Sequence, residues 1–169
     1  MYKRQGLVKL LKTDLFLWQT DDDVSEQVKA IGQFLVDADI AKKTQANYWS
    51  LSADDNTRAT VRLIAECANE TMQRFAIITS LVERLNPVAK TDLEDKVVSI
   101  AQRLCVLNNI SAPEFIDKNA QATLIIAMQE QGYILTDSDG KLIPSDSLAL
   151  LNRSVKNLVD IEVMQSILR

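Results

Sequence analysis

The sequence predicts a mainly α protein, a helical domain that carries two short, winged-helix-like β-hairpins. Three observations lead there. Glycine and proline are scarce, four and three in 169 residues, while Ala, Leu, Gln, Glu and Lys, the better helix formers, fill long stretches. Apolar residues recur at roughly helical spacing through most of the chain. That period yields to β-like patterning at only two places, each beside polar turn residues.

The opening stretch puts Leu7, Leu11, Leu15 and Trp18 on one helical face. Such a stripe reads as an element docking on its own core, with an interfacial amphipathic segment as the alternative. Lys9, Lys12 and Asp14 interrupt it, and it falls far short of the roughly 20 apolar residues a bilayer span needs. Neither a secretory signal nor a membrane crossing is predicted.

A second helix is expected after Asp21-Asp22-Asp23, whose carboxylates suit the positive end of a helix and its free amides. Val24, Val28, Ile31 and Leu35 form its apolar stripe, with Phe34 alongside, and the pattern fades at Asp37-Ala38-Asp39. Ile40-Ala41, a polar turn from Lys42 to Ala46, and Tyr48-Trp49-Ser50-Leu51 read as the first hairpin. Trp49 is expected to pack on its parent helix rather than to stack on a ligand.

The longest element is predicted from about Asp55 to Leu85, with Val61, Ile64, Ala65, Ala68, Met72, Phe75, Val82 and Leu85 in helical period. At about 1.5 Å per residue it is on the order of 45 Å long and is expected to form the spine of the domain. It stops at Asn86-Pro87, because proline disfavours helix in the residue before it. Thr91 and Glu94 make a capping-box pattern that opens a helix carrying Leu93, Val97, Ile100, Leu104 and Leu107, ending at Asn108-Asn109.

Ser111, Pro113 and Glu114 repeat that logic ahead of a helix with Phe115, Ile116, Leu124, Ala127 and Met128, and Gly132 sits where a left-handed C-terminal cap belongs. The second hairpin follows: Tyr133-Ile134-Leu135, the turn Asp137-Ser138-Asp139-Gly140, then Lys141-Leu142-Ile143. A last helix begins after Pro144 and Ser145-Asp146, with Leu148, Leu151, Val155, Leu158 and Ile161. A helix followed by a hairpin thus occurs twice, at 24–51 and 112–143, which is the local pattern of a winged helix.

Composition excludes much chemistry. Histidine is absent, the net charge is −4, and apolar and charged residues make up 47% and 25%, ordinary for a globular chain. Without histidine the chain has no Ser-His-Asp or Cys-His pair and no His-ligated catalytic zinc of its own. Cys67 and Cys105 fall on apolar faces, have no CxxC spacing and are expected to be buried free thiols. Glycine-rich phosphate loops and the G-x-S-x-G elbow are missing.

A calcium loop at Asp137 fails, because positions five and twelve are Lys141 and Leu148. Glu114 and Asp117 are one turn apart, and helix-terminus charge explains them better than acid/base work. The helix from Ala112 to Gln131 offers Lys118 against Glu114, Asp117 and Glu130, so it is unsuited to DNA. The small basic clusters Lys3-Arg4 and Lys42-Lys43 read as solvated surface, and no nucleic-acid partner is expected. No catalytic, cofactor-binding or metal-ligating residue is assigned, and no cofactor is expected.

One run goes beyond generic pattern. Residues 101–118, AQRLCVLNNISAPEFIDK, resemble the segment near the C-terminus of the bacterial membrane-associated glycerol-3-phosphate 1-O-acyltransferases. In that family an AQRL…APEF(F)DK run precedes a helix and a G(Y/V)I…D.DGK hairpin. Gly132-Tyr133-Ile134 and Asp139-Gly140-Lys141 stand in the matching places here. Asp14 to Trp18, Trp49 and Met164 to Leu168 also resemble family positions, so the likeness runs from about residue 7 to the end.

The resemblance implies a fragment of an enzyme that acylates the 1-hydroxyl of sn-glycerol 3-phosphate from acyl-CoA or acyl-carrier protein. The family's catalytic histidine-four-aspartate block and its phosphate-binding block do not occur in this sequence, so the fragment alone is expected to be inactive. Its partner would be the N-terminal catalytic domain, with peripheral contact at the cytoplasmic face of the bacterial inner membrane. On this reading residues 1–6 are a non-native start and 7–169 a single helical C-terminal domain, with 7–90 and 91–169 as possible sub-units. A free-standing helical interaction module is the rival, and a winged-helix nucleic-acid binder the third.

Overall fold

The computed structural model describes residues 21–45, 48–52, 54–108, 110 and 112–168. The expected element at Leu7 to Trp18 lies outside the described residues. The chain is mainly α, and its elements run α1 (Asp21–Asp37), β1 (Ala41–Gln45), β2 (Tyr48–Leu51), α2 (Asp55–Leu85), α3 (Lys90–Asn108), a 3-10 turn at Pro113–Phe115, α4 (Lys118–Glu130), β3 (Ile134–Thr136), β4 (Leu142–Pro144), α5 (Asp146–Lys156) and α6 (Ile161–Leu168). Both sheets are two-stranded antiparallel hairpins. The residues group into two compact units that divide within α2, between Ala68 and Asn69.

In the smaller unit, α1 ends as the sequence suggests, and the geometry explains how. Asp39 adopts a left-handed φ of 58°. The Ile40 amide then donates to the Leu35 carbonyl at 2.9 Å and the Asp39 amide to Val36 at 3.0 Å, the paired bonds of a Schellman cap. The chain turns into β1, which pairs Ala41 with Leu51 and Lys43 with Trp49. The strand continues to Gln45, so Lys42, Lys43 and Gln45 are paired strand and not turn, with a register shift at Thr44. Trp49 packs on α1 as expected: a Cβ added at Gly32 would lie 2.6 Å from its ring.

Two expectations in this unit fail. Val28 and Ile31 of the predicted stripe, and Phe34 alongside it, are exposed, and so is Ile64 on the first half of α2. Periodicity identified the apolar face but not what covers it.

The larger unit is built around the second half of α2. Every residue from Met72 to Val82 is buried, including Phe75, Ala76, Ile77, Ile78 and Val82 at 0% exposure. A helix buried on all sides has no solvent face, so its period alone understated the core. Leu93, Val97, Ala101 and Leu104 of α3 pack into the same cluster, with Leu124, Ile125 and Met128 of α4 and Leu148, Leu151 and Val155 of α5. Each large side chain so buried is worth about 1.5–3 kcal/mol before entropy is charged against it.

The remaining corrections concern helix ends. Helix α3 starts at Lys90, so Thr91 lies within its first turn and is no N-cap. Val88 pairs with Leu142 through bonds of 2.8 and 3.1 Å, which fixes the chain just ahead of that start. Leu107, expected in the α3 stripe, is exposed in the last turn of the helix, and Ile116 is exposed as well. No continuous helix follows Ala112: the 3-10 turn comes first and α4 begins only at Lys118. Ser111 lies outside the described residues. The last predicted helix is two, α5 and α6, broken across Asn157 to Asp160. In the break Val159 is buried, while Leu158 and Ile161 are exposed.

Candidate functional site

The segment that carries the sequence likeness lies in the larger unit, and several of its described side chains have a structural task. Leu104 is fully buried, and Cys105 is half-buried against the core. Burial, and secondarily the charge of Glu70, raise the Cys105 thiol pKa, which favours the protonated thiol over the thiolate. The Cys67 side chain lies outside the described residues. Past Asn108, whose Nδ2 donates to the Leu104 carbonyl at 3.2 Å, the chain enters the 3-10 turn with Pro113 in its first position. Phe115 drops into the core at 0% exposure.

Asp117 then caps α4. Its Oδ1 accepts from the amides of Asn119 at 2.7 Å and Ala120 at 3.3 Å, satisfying two of the free donors at a helix start. The helix-terminus reading of this carboxylate therefore holds, and Glu114 is exposed in the 3-10 turn. Lys118 reaches back to Asp95 on α3 with Nζ–Oδ1 at 2.6 Å, and that hydrogen bond and charge raise the lysine pKa. Both side chains are largely exposed, so the pair orients more than it stabilises. Gln121, at 0% exposure, donates to the Phe115 carbonyl at 2.7 Å and ties turn to helix.

Helix α4 closes on Gly132 at φ 73°, with the Tyr133 amide bonded to the Met128 carbonyl at 2.9 Å and the Gly132 amide to Gln129 at 2.9 Å. This is the left-handed cap expected there. The hairpin that follows turns on Asp137, whose Oδ1 accepts from the amides of Asp139 at 2.9 Å and Lys141 at 2.8 Å. Gly140 supplies the positive φ, 77°. With its carboxylate committed to the backbone, Asp137 is a turn residue, as the failed calcium spacing indicated.

Sequence reasoning missed the polar ties of the α2 interior. Arg74 is 5% exposed and donates through Nη2 to the Ala120 carbonyl at 3.2 Å. At the far end of the unit, Arg84 donates to the Leu168 carbonyl at 2.6 Å and Arg103 to the Ser166 carbonyl, so two guanidinium groups hold the C-terminal carbonyls of α6. No period or motif marks such contacts, because each joins residues at least 46 positions apart. Among the described residues, no group of three or more Cys, Asp or Glu is placed to hold a metal. None of the described helices is long and apolar enough to cross a membrane.

These motif residues therefore build a scaffold, and comparison with known proteins agrees with the likeness they carry. A family model described as the glycerol-3-phosphate acyltransferase C-terminal region matches residues 3–137. The chain belongs to that family. Its relatives include a glycerol-3-phosphate acyltransferase of Colwellia psychrerythraea, 54% identical over 167 residues, a match covering 99% of this chain and 21% of the relative. One from Shewanella frigidimarina is 36% identical over 128 residues, covering 76% of this chain and 15% of the relative. Another, from Alteromonas mediterranea, is 28% identical over 160 residues, covering 95% and 20%. This member of the C-terminal region family thus spans about a fifth of the length of the first of these relatives. No solved structure matches it.

Proposed function

We propose that this chain is the C-terminal, non-catalytic part of a bacterial membrane-associated glycerol-3-phosphate 1-O-acyltransferase. The parent enzyme transfers a fatty acyl group from acyl-CoA or acyl-carrier protein to the 1-hydroxyl of sn-glycerol 3-phosphate, giving lysophosphatidate. It works at the cytoplasmic face of the inner membrane, and this chain's direct partner is the catalytic domain of the same polypeptide. Residues 7–169 serve in that enzyme as one helical region.

The observation that carries this reading is the family match over residues 3–137, joined to relatives of which the chain covers only about a fifth. Two features of the chain support a non-catalytic share. Histidine is absent, so the usual base for activating a hydroxyl near neutral pH is not supplied here. Asp117 and Asp137, carboxylates within the family-like segments, are committed to backbone amides.

The test is direct. The purified chain, incubated with acyl-CoA and glycerol 3-phosphate, gives no lysophosphatidate. The Colwellia relative, with its matching segment replaced by this chain, does. Turnover by the isolated chain, or an inactive replacement enzyme, overturns the reading.

A further inference from the structure

Aspartate is followed by glycine at a single place in the chain, Asp139-Gly140, and the fold sets that pair at the tip of the second hairpin. Both residues are exposed, as are Ser138 and Lys141 beside them. An aspartate carboxyl can be attacked by the backbone amide of the next residue, and glycine favours the attack because no Cβ crowds the approach. The surroundings keep that advantage: a Cβ added at Gly140 would meet nothing within 4 Å.

The turn treats its two aspartates differently. Asp137 is half-buried, and its Oδ1 accepts from the amides of Asp139 at 2.9 Å and Lys141 at 2.8 Å. Asp139 gives that network only its backbone amide, and among the described residues its carboxylate has no partner. The Gly140 amide, the attacking group, is held by one bond of 3.2 Å to the Asp137 carbonyl, longer than the others of the turn. At an exposed tip, water can replace it.

We propose that Asp139 is a modification site, converting to isoaspartate through attack by the Gly140 amide. The Gly140 nitrogen loses its proton and bonds to Cγ of the neutral Asp139 acid. The hydroxyl on Cγ departs as water, closing a five-membered succinimide ring. Water then adds to one of the two ring carbonyls. Breaking the N–Cγ bond restores aspartate, and breaking the bond from nitrogen to the main-chain carbonyl carbon leaves the chain running through Cβ and Cγ. The cycle releases one water and takes one up, so mass is unchanged.

The product has one more backbone atom between Asp137 and Lys141. That atom pulls the Lys141 amide away from Asp137 Oδ1 and the Lys141 carbonyl away from the Asp137 amide, 2.9 Å distant in the intact turn. Leu142 comes next, and its amide and carbonyl pair with Val88 at 2.8 and 3.1 Å. Conversion at Asp139 therefore loosens the strand contact that fixes the chain ahead of α3.

The experiment ages the purified 169-residue chain in heavy-oxygen water, folded and in urea. Electron-transfer fragmentation in the mass spectrometer then separates aspartyl from isoaspartyl linkages. Asp139 should take up heavy oxygen and show the isoaspartyl linkage at least tenfold above Asp137 and every other aspartate. Its rate in the folded chain should stay within tenfold of its rate in urea. Asp139→Glu, which would need a six-membered ring, should abolish the signal. In the converted fraction the Lys141 and Leu142 amides should exchange hydrogen faster. Absence of label at Asp139, equal conversion at Asp137, or a folded rate more than tenfold below the rate in urea overturns the site. Unaltered exchange at Lys141 and Leu142 overturns the loosening of the strand contact.

Discussion

The Thr79 hydroxyl lies 3.0 Å from Asn152 Oδ1, joining α2 to α5 inside the larger unit where neither residue is more than 1% exposed. Thr79 also lies 2.8 Å from the Phe75 carbonyl, and Asn152 Nδ2 donates to Glu83. The pair thus extends from the α2 backbone to a carboxylate at the unit's edge, where Lys156 stands 3.9 Å away. Polar groups in such a place stabilise only when every partner is present.

Asn152→Ala should therefore lower the unfolding free energy by about 1–3 kcal/mol. Combined with Thr79→Val, the loss should be smaller than the sum of the two single losses by about 0.5 kcal/mol or more, since the two share one contact. Urea unfolding of the four proteins measures both quantities. Strict additivity would show that the two side chains are not coupled.

Gly32→Ala sets two effects against each other. Alanine gains about 1 kcal/mol of helix propensity over glycine. Its Cβ would meet Trp49 Cζ2 at 2.6 Å, and overpacking of that kind costs about 1–3 kcal/mol. The contact wins, because a carbon cannot approach a ring carbon that closely without moving it. The variant should lose the near-ultraviolet circular dichroism of Trp49 and melt earlier, and an unchanged spectrum would count against the packing.

Asp117 lies within the most family-like run, yet its geometry is that of a helix cap. Asp117→Ala should cost about 0.5–2 kcal/mol, and Asp117→Ser or Asp117→Asn much less. In the replacement enzyme, Asp117→Asn should keep acyl transfer within about twofold. A collapse of turnover in a stably folded Asp117→Asn protein would give that carboxylate a role beyond capping.

Two groups contribute to the pH dependence with opposite signs. The Thr57 amide, at 2.8 Å, and then the Thr57 hydroxyl hold the Asp54 carboxyl below the ordinary aspartate value. A depressed folded pKa stabilises above the unfolded value, and the contribution is lost as pH falls through the folded one. The stability gap between wild type and Asp54→Asn should close on acidification. Burial pushes the Tyr133 phenol up, so its contribution is present below the unfolded value near 10 and is lost as pH rises through the folded one. Absorbance titration of Tyr133→Phe should lack a phenol that ionises above the ordinary tyrosine value.

Much of the fold is legible in the sequence because its signals are local. Asp39 and Gly132 end helices through positive φ at places the fading periods mark, and the Asp137–Gly140 turn fixes its hairpin within four residues. The helix starts were less legible. Thr91 matches the capping-box pattern, but the Val88–Leu142 pairing, contributed from the second hairpin, places it inside α3. The pattern of the last helix carried on through Leu158 and Ile161, whereas the chain breaks there and buries Val159 in their place.

By itself the sequence determined the mainly α class, both hairpins, the lack of a histidine base and the family-like run at residues 101–118. All of these depend on backbone propensity, turn chemistry or residue identity over short spans. Tertiary structure alone decided which apolar faces are covered. It buried α2 on every side from Met72 to Val82, joined Thr79 to Asn152 and left the α1 stripe open. The reason is physical: a period shows that a face is apolar, but burial depends on residues that arrive from elsewhere in the chain.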